Sequence, residues 1–421
     1  MDIFGFLKDL LRKGLRALAE RFSLGPKKPA FPLGDRLLAD AFRLGQIPSP
    51  TEQERERALF AAARLQALEI PYTVDEAGNI LARLQALREA PEDLSPAPLL
   101  VFTQLVSKRW NSLESLGKLE LSRARGAGLA DALGPAALLS LAESYTLGRL
   151  SLDRDLLLFF SALHFDDPQS GAFTLFITDP PRRPAAAIGV RGFTLGFFTR
   201  HTLGSHRVEI TMADEERAGE GPAVSRGGSN AVAAALAAAV QNLGELALSF
   251  GEGLRLYIRR VEAQSVFNRT PSEGVLEVDI ESADRDLLDK ALRGIEDMVE
   301  QGRAGGAGGD QAGGGNPRGI KAAFRVISSI PPGDFSISAG LVNSLVKLME
   351  ELNIQPEEEA EPDPSSLLSA AGIPALSVGL ASGRAGLNRD TVEVASVETG
   401  RLLVERLVTL LGTTPERKTH G

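Results

Sequence analysis

Short, wholly apolar strands occur in two separate blocks of this chain, and strands with alternating apolar and polar residues lie between the blocks. Leu99–Phe102, Asp155–Leu163 and Leu175–Ile177 supply the apolar runs of the first block. Fully apolar strands separated by helices are typical of a parallel or mixed sheet that is covered on both faces. The sequence therefore predicts an α/β domain that an α+β domain interrupts.

The boundaries of these domains follow from proline-rich and glycine-rich stretches. The chain has 421 residues, which exceeds one typical hydrophobic core. After Pro180–Pro184 the strands change from wholly apolar runs to alternating apolar and polar residues. After Pro331–Gly333 this alternating pattern ends. We therefore predict an α/β domain formed by residues 33–186 and 334–415, with an inserted α+β domain at 187–333.

The N-terminal segment has its own pattern. Apolar residues of 2–22 fall on one helical stripe, and five lysine and arginine side chains fall largely elsewhere. This pattern predicts an amphipathic helix within residues 1–25. It packs on its own fold or on a protein partner, or it lies on an anionic membrane surface.

Composition excludes several classes of site. The formal charge is −9, which disfavours nucleic acid as a partner. The chain contains no cysteine, so disulfides and thiolate ligands are excluded. Its histidines are His164, His201, His206 and His420. No run of ~18 apolar residues is present, so we predict a cytoplasmic protein.

Asp131 stands in the glycine-flanked stretch Gly126–Pro135, directly before the apolar helix predicted for Ala136–Tyr145. An acidic side chain on a glycine-rich turn before a helix is a position for a metal ligand. The same side chain can also cap free N–H groups of the helix. Both interpretations stay open from the residues alone.

An ordered set of short segments resembles the aminoacylase, carboxypeptidase-G and peptidase-T type of co-catalytic zinc peptidases. The segments span residues 35–412 in consistent order and are Ile47–Pro50, Val74–Arg83, the Asp131 turn, Gly228–Ala231, Asn268–Pro271 and Ala371–Pro374. The resemblance implies a mixed-sheet α/β/α domain with an inserted ferredoxin-like α+β lid domain, which in many members pairs two subunits. It also implies two zinc ions, a bridging water and a glutamate base.

Most residues that this chemistry requires are replaced. Gln104 and Val106 stand for the family's metal-binding histidine and its orienting aspartate. Asp131 matches the bridging ligand, and Asp179 matches a further acidic ligand before a proline. The base falls on Phe165 or, with a shift of one residue, on Asp166; the latter also matches a metal ligand. Gly386 stands where the last histidine is expected.

Two substrate-binding positions of the lid are also altered. Arg217 replaces a histidine, and Glu281 replaces an arginine, whereas Asn268 is retained. Two hypotheses follow. The first is a non-catalytic homologue that serves as a binding, scaffolding or assembly protein, dimeric through the lid and without a cofactor. The second is a divergent metal-dependent hydrolase with a divalent cation on Asp131, Asp166 or Asp167, and Asp179, with Gln104 or His164 completing the set.

Two further expectations concern surface residues. The acidic run Glu357–Glu361 is predicted as a solvated loop. His206 is predicted to lie on a solvated hairpin of the inserted domain.

Overall fold

The computed structural model describes residues 32–49, 55–87, 96–107, 117–120, 122–162, 172–179, 183–199, 201–214, 231–264, 271–304, 320–334, 336–386 and 389–413. Several predictions lie outside these residues and are not pursued structurally. They concern the amphipathic helix at 2–22, His164, Phe165, Asp166, Asp167, Arg217 and Asn268.

The described helices are α1 Leu33–Gln46, α2 Arg55–Ala67, α3 Leu129–Thr146, α4 Thr174–Thr178, α5 Ala231–Phe250, α6 Arg285–Ala304, α7 Ala339–Glu351, α8 Ser365–Ala370 and α9 Val394–Gly412. The described strands are β1 Tyr72–Val74, β2 Ile80–Leu84, β3 Leu99–Gln104, β4 Lys118–Leu119, β5 Arg123–Gly126, β6 Leu156–Ser161, β7 Ala186–Leu195, β8 Phe197–Thr199, β9 His201–Thr202, β10 Gly204–Asp214, β11 Arg255–Gln264, β12 Glu273–Ser282, β13 Ile320–Ile330, β14 Gly333–Asp334, β15 Glu357–Glu359, β16 Ala375–Gly379, β17 Gly383–Arg384 and β18 Asp390–Glu393.

The large domain is built on an eight-stranded mixed sheet in the order β1-β2-β6-β3-β7-β16-β8-β15. Its central strands β6, β3, β7 and β16 run parallel, whereas β2 pairs with β6 in the antiparallel direction. Strand β3 alternates between the two faces, because Leu99 and Val101 pack in one core and Leu100 and Phe102 in another. The predicted sheet with two covered faces is confirmed.

Helices cover the two faces unequally. Helices α1, α2, α3, α7 and α9 contribute to the larger core, and α4 and α8 contribute to the smaller one. Aromatic side chains dominate the smaller core, where Phe176 meets Phe159 edge-on at 5.2 Å between ring centroids. The large domain therefore has three layers, α/β/α.

The smaller domain is a four-stranded antiparallel sheet in the order β11-β12-β10-β13. Helices α5 and α6 pack on one face of this sheet around a separate core. The chain order β10-α5-β11-β12-α6-β13 gives the ferredoxin-like connectivity. Strand β7 belongs to the large sheet, so the predicted boundary at residue 187 falls within a strand of the large domain.

One described helix, Ala231–Gly253, has the length and hydropathy of a membrane span. Its residues Val232, Ala235, Leu236 and Leu243 pack in the core of the smaller domain. A core helix of a soluble protein has the same composition, so this helix gives little support to a membrane location.

Two local predictions are wrong. Leu175–Ile177 lies in helix α4 rather than in a strand, because a three-residue apolar run carries no period that separates helix from strand. Glu357–Glu359 forms strand β15 at the edge of the sheet rather than a loop, since its backbone pairs in parallel with β8.

Candidate functional site

A cleft of about 640 Å³ lies between the two domains. The large domain contributes the carboxyl end of β3, the start of α3, part of β7 and the loop after β15. The sheet of the smaller domain contributes the face that its helices leave uncovered. A cleft of this size suits a small molecule.

The carboxyl end of β3 carries Gln104, which is half-buried, and then the buried Val106 and Ser107. Gln104 and Val106 both line the cleft. The hydroxyl of Ser107 donates a hydrogen bond to Asp131 Oδ2 at 3.0 Å. This strand end therefore offers an amide, an apolar side chain and a hydroxyl already engaged with the neighbouring aspartate.

Asp131 lies in the first turn of α3 and not before the helix, since α3 begins at Leu129. The helix begins here because Gly128 adopts the left-handed conformation, with φ of 61°, at its N-cap. The amide of Ala130 donates to Asp390 Oδ2 at 3.0 Å. A distant aspartate thus satisfies a free N–H of the helix, and Asp131 adds a favourable charge to the same terminus.

The side chain of Arg57 on α2 lies beneath this turn and is fully buried. Its Nε donates to the carbonyl of Ile47, and its Nη1 donates to the carbonyl of Leu105, each at 3.1 Å. Burial lowers the pKa of Arg57 to about 10, and the negative charge of Asp131 opposes this fall. At neutral pH Arg57 remains a cation, so a buried positive charge already acts on Asp131.

Asp390 joins the start of α3 to the loop that contains Gly386. The amide of Gly386 donates to Asp390 Oδ1 at 3.2 Å, and Asp390 is fully buried. A Cβ atom added at Gly386 would lie 2.3 Å from the carbonyl oxygen of Arg389. Because that contact is with backbone, a side chain at position 386 requires the loop to move.

The smaller domain presents an arginine–aspartate–arginine group to the cleft. Asp279 accepts bonds from Arg207 Nε at 2.6 Å and from Arg259 Nε at 2.6 Å. Burial alone would raise the pKa of Asp279, but the bonds and charges of both arginines hold that pKa below its ordinary value. Two guanidinium groups share one carboxylate, so the group keeps a net positive charge.

Arg191 on β7 forms a second ion-pair group in the cleft. It binds Glu359 at 2.7 Å, and its Nε lies 4.0 Å from Asp363 Oδ2. Burial alone would lower the pKa of Arg191, but the charges of Asp363 and Glu359 outweigh burial and hold it above its ordinary value. The cleft is therefore rich in charges that are mostly paired.

No family model matches this chain, and a search of curated proteins finds no significant match. Solved structures do resemble it. An amidase of the hydantoinase/carbamoylase family from Burkholderia vietnamiensis has a TM-score of 0.65 at 13% identity, over 91% of this chain and 98% of that one. Human carnosine dipeptidase 1 has a TM-score of 0.64 at 11% identity, over 90% and 97%. A dinuclear metal-binding peptidase of the M20 family from Bacillus subtilis has a TM-score of 0.55 at 13% identity, over 90% and 98%.

The chain has the M20 metallopeptidase fold. This agreement confirms the fold that the ordered sequence segments implied. Identities of 11% to 14% show the fold alone, so the chemistry must be argued from the side chains.

The described residues do not fit the pair of metal ions that the M20 fold implies. Among them, no group of three histidine, aspartate or glutamate side chains could hold an ion. Asp131 is among the residues that line the cleft, and Asp179 is not. Gln104 is a poor ligand, and Gly386 offers no side chain.

The sequence did not lead us to predict roles for Arg57 and Arg191. Arg57 carried a signal, because it shares a helical stripe with the buried Ala61 and Leu65. Arg191 carried none, because its partners are 168 and 172 residues further along the chain.

Proposed function

We propose that this chain is a non-catalytic relative of the M20 metallopeptidases that acts as a binding, scaffolding or assembly protein in the cytoplasm. One observation carries the proposal: a buried guanidinium, that of Arg57, supplies positive charge to Asp131. In a metallopeptidase the metal ions supply that charge, and they also activate the water. A guanidinium group supplies positive charge but does not activate a water molecule.

The replaced side chains support the same conclusion. Peptide hydrolysis in this fold requires ligands that hold the metal and a base that accepts a proton. Gln104 and Val106 cannot bind and orient zinc as histidine and aspartate do. What the fold retains is a cleft with ordered polar walls.

Turnover assays test this proposal. The purified protein is incubated with dipeptides, tripeptides and N-acyl amino acids in the presence of Zn²⁺, Mn²⁺ or Co²⁺. We expect no hydrolysis above the rate of a sample without protein. Hydrolysis that is abolished in Asp131→Ala would contradict the proposal. It would support the divergent metal-dependent hydrolase, whose ligands would include Asp131, Asp166 and Asp179.

We further propose that two subunits pair through the smaller domain, which would then act as the family's lid and dimerisation domain. The outward face of α5 supports this, since it exposes Ala234, Ala237 and Leu248, the last at 82%. Glu245 is the one charged residue in α5, whereas the exposed side of α6 is rich in charge. Sedimentation of Ala237→Glu tests this pairing: a wild-type dimer that dissociates in the variant supports it, and a wild-type monomer contradicts it.

Residues 2–22 remain a proposed contact for a protein partner or for an anionic membrane surface. The amphipathic sequence pattern supports this proposal. Deletion of these residues should abolish co-sedimentation with vesicles that contain phosphatidylserine. An intact chain that does not bind such vesicles argues against the membrane.

A further inference from the structure

Glu281 is a buried acidic residue of the cleft and belongs to neither of the two ion-pair groups described above. It lies near the end of β12 and lines the cleft, and its exposed fraction is 8%. Within the described part of the chain it makes no hydrogen bond and no ion pair, unlike the neighbouring Asp279. A buried carboxyl group without a partner is costly, so natural proteins rarely keep one without a use.

Two acidic and two arginine side chains act on Glu281, and burial is the largest cause of its raised pKa. Burial and the charge of Asp279 raise the pKa of Glu281, and Glu361 on the opposite wall adds to this rise. Arg255 and Arg259 oppose it from β11, but the pKa stays above its ordinary value. Arg259 is already bonded to Asp279, so its charge is only partly available to Glu281.

A second unsatisfied acceptor lies on the wall formed by the large domain. Asp363 accepts bonds at Oδ1 from the amide of Ser365 and the hydroxyl of Ser377. Its Oδ2 is buried and has no hydrogen-bond partner among the described residues. Both walls of the cleft therefore hold an acidic oxygen with unused hydrogen-bonding capacity.

We propose that the cleft binds a small ligand through a protonated amine, and that Glu281 is the counter-ion of that amine. The proposal names the ligand class for the binding function proposed above and rests on it. An ammonium group brings hydrogen-bond donors to Glu281, which has none among the described residues, and its positive charge favours the ionised carboxylate. A metal ion suits the place less well, because no described group of three acidic or histidine side chains could hold one.

Three probes of one chain length and different charge test the proposal: putrescine, γ-aminobutyrate and succinate. Their binding is measured by isothermal titration calorimetry at about pH 7.5, where ordinary amines are protonated. We expect the two amines to bind and succinate not to bind. Glu281→Gln should weaken amine binding about 10-fold or more, since a charge-assisted hydrogen bond is lost.

Glu277→Gln is the matched control. Glu277 lies on the same strand and the same face of the sheet, but it pairs with Arg260 and does not line the cleft. Its substitution should leave the affinity for the amines unchanged. If the two variants weaken binding equally, or if no amine binds up to about 10 mM, the proposal is overturned. Succinate as the tightest probe would overturn it as well.

Stability separates lost binding from lost folding. Folding raises the pKa of such a carboxyl group. The group therefore destabilises the folded protein once the pH exceeds the pKa that the group has in the unfolded chain. Glu281→Gln should therefore unfold at a higher temperature than the wild type near pH 7.5, and this advantage should vanish near pH 4. A less stable variant at neutral pH would show a structural role and would contradict the proposal.

The outcomes of this test and of the turnover assay are independent. Amine binding together with peptide hydrolysis would overturn the non-catalytic function but leave the ligand class standing. Absence of both amine binding and hydrolysis would overturn only the ligand class.

Discussion

At the scale of single residues, the proposed function depends on Arg57. Its guanidinium is fully buried and ties the Ile47 loop to the end of β3 through two carbonyl groups. A buried charge of this kind is stable only when an opposite charge and acceptors compensate it. The opposite charge that acts on Arg57 is that of Asp131. The contributions of these two residues to the free energy of unfolding should therefore depend on each other.

Arg57→Met tests this dependence. The variant removes the bonds that Arg57 donates to the carbonyls of Ile47 and Leu105 and the positive charge that acts on Asp131, so we expect a loss of about 3 kcal/mol in the free energy of unfolding. Arg83→Met is the control, because Arg83 is 61% exposed in its pair with Asp155; its loss should be about 0–1 kcal/mol. Urea denaturation measures both.

The double variant Arg57→Met with Asp131→Asn sharpens the result. If the two charges interact directly, the combined loss should be about 1 kcal/mol smaller than the sum of the two single losses. Additive losses would show that Asp131 is stabilised by something other than Arg57.

His206 shows what sequence reasoning cannot supply at this scale. It was predicted on a solvated hairpin, and that prediction is wrong: the side chain is 9% exposed. Its nearest acidic group is Asp289 on α6, at 3.8 Å, and burial lowers the pKa of His206. The residue is covered by a helix that begins 79 residues later, so no local pattern could reveal its environment.

At the scale of elements, strands and long helices were predictable because their patterns are local. The runs at Leu99–Phe102 and Asp155–Leu163 correspond closely to β3 and β6. Helix α3 begins at Leu129, before the predicted start at Ala136. Pro135 lies inside the helix and removes one of its hydrogen bonds, but the helix continues around it because most of its residues are buried.

The prediction of a loop at strand β15 was wrong for a different reason. Its side chains are acidic and mostly exposed, so its composition predicts a solvated loop. It becomes the edge strand of the sheet because β8 offers backbone hydrogen-bonding partners to it. That stabilisation comes from residues far away in the sequence and leaves no trace in the acidic run itself.

Two glycines at the ends of α3 allow a matched test of how its start is fixed. Gly128 has φ of 61°, and an added Cβ would lie 3.0 Å from the carbonyl oxygen of Gly45. Gly148 has φ of 68° and nothing within 4 Å of an added Cβ. Alanine at Gly148 should cost about 1 kcal/mol for the backbone alone.

Alanine at Gly128 should cost more than alanine at Gly148, by about 1–2 kcal/mol, because α3 must also move away from the carbonyl of Gly45. Thermal denaturation of the two variants measures the difference. Equal losses would show that the close approach of α3 to α1 does not fix the position of Asp131.

At the scale of the whole molecule, the order of the two domains was predictable and the chemistry of the cleft was not. The interruption of one sheet by another follows from strand patterns in sequence order. The cleft joins residues from both domains, such as Gln104, Arg207 and Asp363. Their proximity depends on how the two sheets face each other, which no sequence period encodes.

At this scale we propose that the molecule keeps the cleft of the M20 fold and that protein charge takes the place of the charge of the metal ions. A protein that binds a metal only when folded gains stability from that metal by about 2.7 kcal/mol at a concentration 100 times its dissociation constant. A protein whose site is compensated by Arg57 gains nothing from the metal. Unfolding with and without metal therefore separates the two cases.

The most direct measurement is the unfolding midpoint of the wild type and of Asp131→Ala, each after chelation and then with excess Zn²⁺ or Mn²⁺. The account predicts that neither ion raises the midpoint of either protein. A rise in the wild type that disappears in Asp131→Ala would show that Asp131 still binds a metal ion, and it would contradict the account.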